Sequence, residues 1–161
     1  MDLLKSGLVD TVIISIPHYF HPEIGIDAFG AGIHVLFEKL AGVYTKRVYN
    51  LIEVAKKSDL VYGLMFNQRT NPMYINMREI VHNGELGELT RSNWIITDRY
   101  RTQYYYDSSD WRATWAGEGG VLANQCPHQL DLWKWIFGMP KRIHAFCHEG
   151  RHHDNTPLAF D

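Results

Sequence analysis

The amino-acid sequence predicts an α/β protein whose first part forms a partial, doubly wound parallel sheet and whose second part belongs to an α+β domain. Strand-like apolar runs alternate with helical patterns between residues 9 and 66, with short connections. The runs are continuously apolar rather than alternating, which is typical of parallel strands buried on both faces. Beyond residue 68 the pattern changes to helices, a long aromatic loop and isolated strand-like runs.

Each element of the first part has a local signal. Pro17 ends the first β-branched run because it lacks the backbone N–H that a strand ladder needs. His21 and Pro22 open a helix that a Gly-Ala-Gly segment closes, and Thr45 is a candidate N-cap for the next helix. In order, the predicted elements are a strand over 9–16, a helix from 21 to the glycines at 30 and 32, a strand over 33–38, a helix over 45–55 and a strand over 60–66.

The second part is predicted to place helices around a long loop. Residues 71–84 form a helix with Pro72 near its first turn, and strands are predicted over 90–97 and 142–147. The intervening residues 98–117 are crowded with tyrosine, tryptophan and arginine. A loop this long is usually functional or disordered, and its aromatic content argues against disorder.

The stretch 118–138 is predicted to be helical with two different faces. A break or bend is expected at Pro127, just before His128. The polar face either lines a polar site or is a solvated outer face, and the pattern leaves both open. At helical spacing, the predicted apolar stripe is Leu122, Cys126, Leu130, Trp133, Ile136 and Phe137, and the polar stripe is Asn124, His128, Asp131 and Trp135.

Composition excludes several classes of protein. The 161-residue chain has a formal net charge of -2, which argues against a nucleic-acid partner. No apolar run reaches the length of a membrane span, so no membrane association is expected. Cys126 and Cys147 lack metal-ligand spacing and are interpreted as reduced thiols of a cytoplasmic protein. The histidine-rich segment 151–154 is interpreted as an exposed turn, and no metal site is expected.

Polar side chains follow the first two predicted strands. Ser15, Pro17 and His18 come after the first strand, and Glu38 and Lys39 end the second. Ligands of open α/β sheets bind beyond the carboxyl ends of the strands, so these tips are expected to face one crevice. No G-x-G-x-x-G turn occurs in the sequence. The chain is therefore interpreted as the middle of a longer protein and is expected to bind a dinucleotide poorly alone.

Four segments carry a combined signature. Residues 12–21 read V-I-I-S-I-P-H-Y-F-H, and residues 32–39 read G-I-H-V-L-F-E-K. Residues 63–69 read G-L-M-F-N-Q-R, and 119–138 begin with paired glycines and contain N-Q-C-P-H-Q-L-D. In this order and spacing they resemble the Gfo/Idh/MocA family of NAD(P)-dependent oxidoreductases. Its motifs are T-P-x-x-x-H, G-x-H-V-L-x-E-K-P and G-G-x-x-x-D-x-x-x-H-x-x-D.

The resemblance implies a partial Rossmann domain over 1–68 for NAD or NADP and part of an α+β substrate and oligomerisation domain over 69–161. The implied reaction moves a hydride between the nicotinamide and a sugar or cyclitol carbon, in a homo-oligomer (a dimer or tetramer). Lys39 would orient the reacting hydroxyl, His128 would exchange its proton, and Asn124 would be their catalytic neighbour. The implied cofactor residues are Ser15, Pro17, His18, His21, Glu38, Lys39, Asn67 and Arg69. The implied substrate residues are Lys39, Trp111, Arg112, Asn124 and His128.

The sequence departs from this pattern at Leu40, at Asn124 and in the lack of a glycine-rich dinucleotide turn. Leu40 stands where the family has a proline, which usually follows a cis bond that shapes the turn after the lysine. For a non-proline residue the cis form costs about 2.5–4 kcal/mol, so a different aim for Lys39 is expected. Asn124 stands where the family has an aspartate. Asparagine can still orient a hydroxyl or an imidazole, but it lacks the charge that favours imidazolium.

Two other functions remain open. A truncated family member could serve as a non-catalytic binding or assembly module, a possibility that the missing glycine-rich turn favours. The weaker alternative is a metal-assisted hydrolase that uses His128, Asp131, His144 and His148, although these residues lack a recognised ligand spacing.

Overall fold

A three-stranded parallel sheet organises the first part of the chain. The computed structural model describes residues 2–97 and 100–146. The strands β1 (Thr11–Ile14), β2 (His34–Glu38) and β3 (Tyr62–Met65) lie side by side in that order, with both neighbouring pairs parallel. The carboxyl ends of the strands therefore meet at one edge of the sheet. This confirms the predicted α/β class.

Helices connect the strands and cover one face of the sheet. A short α1 (Asp2–Lys5) precedes β1, and the crossover helices are α2 (His21–Gly30) and α3 (Thr45–Lys56). Both crossovers run in the same direction along the sheet, and the two helices pack together. Between them and the sheet lies a core of Ile14, Ala28, Phe29, Ile33, Val35, Phe37 and Leu51.

Gly25 allows α2 to approach the sheet closely. A β-carbon at this position would lie 2.9 Å from Cδ1 of Leu51 and closer still to the ring of Phe37. The absence of a side chain therefore lets the Phe37 ring fill the space beneath the helix.

The expectation that the strands are buried on both faces is wrong for β1. Ile14 is buried, but its neighbour Ile13 is 64% exposed. Burial also alternates along β2, where Val35 and Phe37 are the buried residues. The reason is that, among the residues that the structure describes, α2 and α3 cover only one side of these strands. An apolar run alone does not reveal which side is covered.

The second part of the described chain consists of helices and connecting turns. Asn71 caps α4 (Pro72–His82), its Oδ1 accepting from the Met73 N–H at 3.0 Å, and α4 packs against α7 (Pro127–Phe137). Two five-residue helices, α5 (Gln103–Asp107) and α6 (Gly120–Asn124), lie between them in the chain. Two 3-10 turns, His18–Phe20 and Asn67–Thr70, follow β1 and β3.

The strands predicted over 90–97 and 142–147 are wrong for their described residues. Neither segment enters a strand ladder within 2–97 and 100–146, and Ile95 and Ile143 are exposed. β-propensity describes a fit to neighbouring strands, so an apolar run without a paired neighbour does not become a strand. Residues 98, 99 and 147, and the segment 151–154, lie outside the described part.

The stretch 118–138 is two helices rather than one. The chain leaves the helix after Asn124 and restarts at Pro127, which stands at the first position of α7. The restart expected at Pro127 is thus confirmed, but the continuous apolar stripe is wrong. Leu122 and Leu130 are exposed, because a periodicity counted across a break does not describe either helix.

Candidate active site

Lys39 links the sheet edge to α6. It follows directly after β2, and its Nζ donates to the backbone oxygen of Asn124 at 2.6 Å and to Asn124 Oδ1 at 2.7 Å. The two residues are 85 positions apart in the chain. An ammonium group therefore lies at the carboxyl ends of the strands, facing the buried Asn124 side chain.

His18, which follows β1, also contacts the Asn124 side chain. Its Nε2 lies 3.2 Å from Asn124 Oδ1, and the residue is buried. Burial lowers the pKa of His18 below its ordinary 6.5; the nearby Lys39 charge also lowers it, whereas the hydrogen bond to Asn124 opposes the shift. In the neutral ring that this favours, Nε2 carries the hydrogen that Oδ1 accepts. Nδ1, which is buried without a hydrogen-bond partner, then carries the lone pair.

His21 holds the turn that carries Lys39. Its ring is fully buried, with Nδ1 2.5 Å from the carbonyl oxygen of Leu40 and Nε2 2.8 Å from that of Ile16. The ring therefore bridges the segment after β1 and the segment after β2. The Lys39–Leu40 peptide bond is cis although residue 40 is not proline.

Glu118 lies behind Asn124, and sequence reasoning did not select it. Glu118 is only 3% exposed, and its carboxylate accepts hydrogen bonds from Asn124 Nδ2 and from the backbone N–H of Ala113. The side chain of Gln125 donates to it at 3.3 Å. The available signal was a lone carboxylate between the aromatic loop and the paired glycines, in a stretch without other charges.

The aromatic loop packs against the same region. The Trp111 indole meets the His18 ring edge to face, with centroids 5.4 Å apart. The Arg112 guanidinium lies 4.1 Å from the centre of the Tyr105 ring, and its Nε is buried without a hydrogen-bond partner. Arg101 Nε donates to Gln125 Oε1 at 2.9 Å. The loop thus places an indole beside the end of β1, with the Arg112 guanidinium 5.0 Å from the centre of that indole ring.

The remaining predicted residues occupy the same edge or the start of α7. His128 is the second residue of α7, half-buried, and its ring meets Phe66 edge to face at 6.0 Å. Arg69 donates from Nε and Nη2 to the two carboxylate oxygens of Asp131, at 2.7 and 2.5 Å, and this hydrogen bonding raises the pKa of Arg69. These contacts join the end of β3 to α7. Ser15 and Asn67 are exposed, Pro17 is half-buried, and Glu38 Oε2 accepts from the Lys39 N–H at 3.2 Å.

Two family models match the chain over adjacent segments. Residues 1–66 match an oxidoreductase family with an NAD-binding Rossmann fold, and residues 74–160 match the GFO/IDH/MocA C-terminal domain. The chain belongs to the GFO/IDH/MocA oxidoreductase family.

Three dehydrogenases show the same likeness. Inositol 2-dehydrogenase of Corynebacterium glutamicum is 25% identical over 138 residues, which are 85% of this chain and 38% of that protein. The WlbA dehydrogenase of Bordetella pertussis, solved with NADH and UDP-GlcNAcA, superposes with a TM-score of 0.75 at 25% identity, covering 85% of this chain and 42% of that one. For myo-inositol 2-dehydrogenase of Lactobacillus plantarum the TM-score is 0.69 and the identity 27%, with 85% and 40% covered. The chain thus spans about two fifths of these proteins.

In this GFO/IDH/MocA chain, burial decides between the two interpretations of the polar face of 118–138. The polar face of 118–138 is not a solvated outer face, since Asn124 and Asp131 are buried and hydrogen-bonded. Over 2–97 and 100–146, no three His, Cys, Asp or Glu residues form a group that could hold a metal ion. His148 of the alternative metal set lies outside these ranges. None of the helices found there has the length and apolarity needed to cross a membrane.

Proposed function

We propose that this chain carries the substrate-reacting centre of an oxidoreductase that transfers a hydride between NAD or NADP and a carbon of a sugar or cyclitol. The observation that carries the proposal is the Lys39 ammonium, held at the sheet edge by Asn124. A positive charge at this edge stabilises the alkoxide character that a substrate hydroxyl develops as it loses its proton. The substrate would lie among Lys39, Trp111, Arg112, Asn124 and His128.

We assign the nicotinamide end of the cofactor to the edge of the sheet where the strands end. This edge offers an indole, a buried ring nitrogen of His18 and the Lys39 ammonium side by side. The residues that the structure describes contain no G-x-G-x-x-G turn between a strand and a helix, so the pyrophosphate is not assigned to any residue. When bound, the nicotinamide supplies the redox chemistry. The residues proposed to line its site are Ser15, Pro17, His18, His21, Glu38, Lys39, Asn67 and Arg69.

Each reacting side chain has a distinct proposed role. Lys39 orients the substrate hydroxyl and stabilises its developing charge. His128 exchanges the hydroxyl proton, because imidazole is the side chain that titrates near neutral pH. The Trp111 indole offers a flat apolar face, and the Arg112 guanidinium a rigid fork of donors, a combination suited to a sugar ring.

Substitution of Lys39 tests the proposal. Protein expressed from its complete natural gene is assayed with NAD and with NADP against inositols, free sugars and nucleotide-linked sugars. Lys39→Met is expected to lower kcat by about 10²–10³-fold, the range found when one stabilising donor is removed. Lys46→Met, on the exposed first turn of α3, is the matched control. Equal kcat in the two variants would refute the role of Lys39.

The alternative is a truncated, non-catalytic binding or assembly module of the same family. Such a module would bind sugars or assemble into an oligomer, but it would give no turnover with any substrate of the panel. Assembly into a homo-oligomer and a cytoplasmic location remain predictions, which size-exclusion chromatography with light scattering and cell fractionation would check.

A further inference from the structure

We propose that Glu118 is the positioning residue of this centre: its buried carboxylate fixes the Asn124 amide, so that Asn124 Oδ1 faces Lys39 and His18. The positioning is a property of the folded chain. Its effect on turnover rests on the proposed function.

The donors and acceptors around Asn124 permit only one orientation of its amide. The Lys39 ammonium can only donate, so the atom 2.7 Å from it must be the oxygen. The Glu118 carboxylate can only accept, so the atom facing it must be the NH₂ group. If the amide turned over, an NH₂ would face the ammonium and an oxygen would face the carboxylate. Asn124 is therefore held from both sides, by a cation and by an anion.

Glu118 is itself held on both oxygens. The backbone N–H of Ala113 donates to one oxygen, and the side chains of Asn124 and Gln125 donate to the other. Gln125 is in turn fixed by Arg101 Nε at 2.9 Å and lies 3.1 Å from the Tyr105 hydroxyl. A buried carboxylate without such donors would be strongly destabilising. Residues of the aromatic loop thus hold Glu118 in place, and Glu118 in turn orients Asn124 at the sheet edge.

This arrangement predicts that exchanging the carboxylate of Glu118 and the amide of Asn124 is tolerated better than either substitution alone. Asn124→Asp alone sets two carboxylates against each other, and Glu118→Gln alone leaves an amide where only acceptors are needed. The double variant restores one donor and one acceptor across the contact. The acidic group then lies next to Lys39 instead of behind the amide.

The kinetic test uses Glu118→Gln, Asn124→Asp and the double variant in protein from the complete natural gene. Each single change is expected to lower kcat roughly tenfold or more, the effect of one unsatisfied buried polar group. The double variant is expected to recover most of the loss. Glu53→Gln, at an exposed carboxylate of α3, is the control. Losses that simply multiply in the double variant would overturn the proposal.

A second measurement does not depend on turnover. In protein labelled with ¹⁵N only at asparagine, the side-chain NH₂ signal of Asn124, assigned by its loss in Asn124→Ser, is compared between variants. Glu118→Gln is expected to shift it, whereas Glu53→Gln leaves it in place. An unchanged signal in Glu118→Gln would refute the positioning role. A shifted signal in a protein that turns over no substrate would support the positioning role and refute the proposed function.

Discussion

The Arg69–Asp131 ion pair joins the end of β3 to α7, and its loss should measure how strongly the two parts of the chain are held together. Nε and Nη2 of Arg69 donate to the two carboxylate oxygens of Asp131, at 2.7 and 2.5 Å. The Asp131 side chain is 7% exposed and that of Arg69 is 38% exposed. Asp131→Asn keeps the volume and one oxygen but replaces the other oxygen by an NH₂ that faces the guanidinium.

The expected cost follows from the two hydrogen bonds and from the exposure. A hydrogen bond to a charged group contributes about 1.5–3 kcal/mol, and removal of one partner of a fully buried pair costs about 3–5 kcal/mol. Arg69 remains in contact with water, so its charge is partly solvated after the change. We therefore expect the free energy of unfolding to fall by roughly 2–3 kcal/mol. For a chain of this size that corresponds to a melting temperature lower by roughly 4–12 °C.

Urea unfolding followed by circular dichroism measures this free energy. The matched control is Glu53→Gln, which removes the carboxylate of a pair with Lys56 at 3.0 Å whose side chains are 59% and 67% exposed. Such surface pairs contribute about 0.3–0.5 kcal/mol. If the free energies of unfolding of Asp131→Asn and of the control differ by less than about 0.5 kcal/mol, the ion pair does not hold α7 to the end of β3.

Two further predictions concern the core and its buried histidine. Gly25→Ala should destabilise the protein by about 1–3 kcal/mol, because the added β-carbon would overlap the Phe37 ring. The control is Gly30→Ala in the same helix, where no atom lies within 4 Å of the added β-carbon and the change should be neutral or slightly stabilising. Equal melting temperatures of the two variants would contradict this prediction. Burial lowers the pKa of His18 below its ordinary 6.5, so the unfolded chain binds a proton first and stability falls as the pH drops below 6.5. His18→Gln should therefore flatten the loss of stability between about pH 7 and 5 in urea titrations, relative to the exposed control His82→Gln, and an unchanged slope would refute it.

Local patterns predicted most of the helices and strands. The run before Pro17, the glycines that end α2 and the proline at the start of α4 are signals that act within a few residues, and the structure has each element there. The restart at Pro127 belongs to the same class, because a missing N–H and a fixed φ act on the adjacent turn. The strands at 90–97 and 142–146 could not be judged in this way, since pairing depends on a neighbour elsewhere in the chain.

The sequence by itself determined which residue types stand at the ends of the strands, including Lys39 and His18, and it placed them at one edge through the parallel alternation of strands and helices. Only the tertiary structure decided what they contact. The hydrogen bonds of Lys39 to Asn124, and of Asn124 to the buried Glu118, join a strand end to residues after the aromatic loop. Periodicity reports only neighbours along the chain, whereas these partners are selected by packing across it.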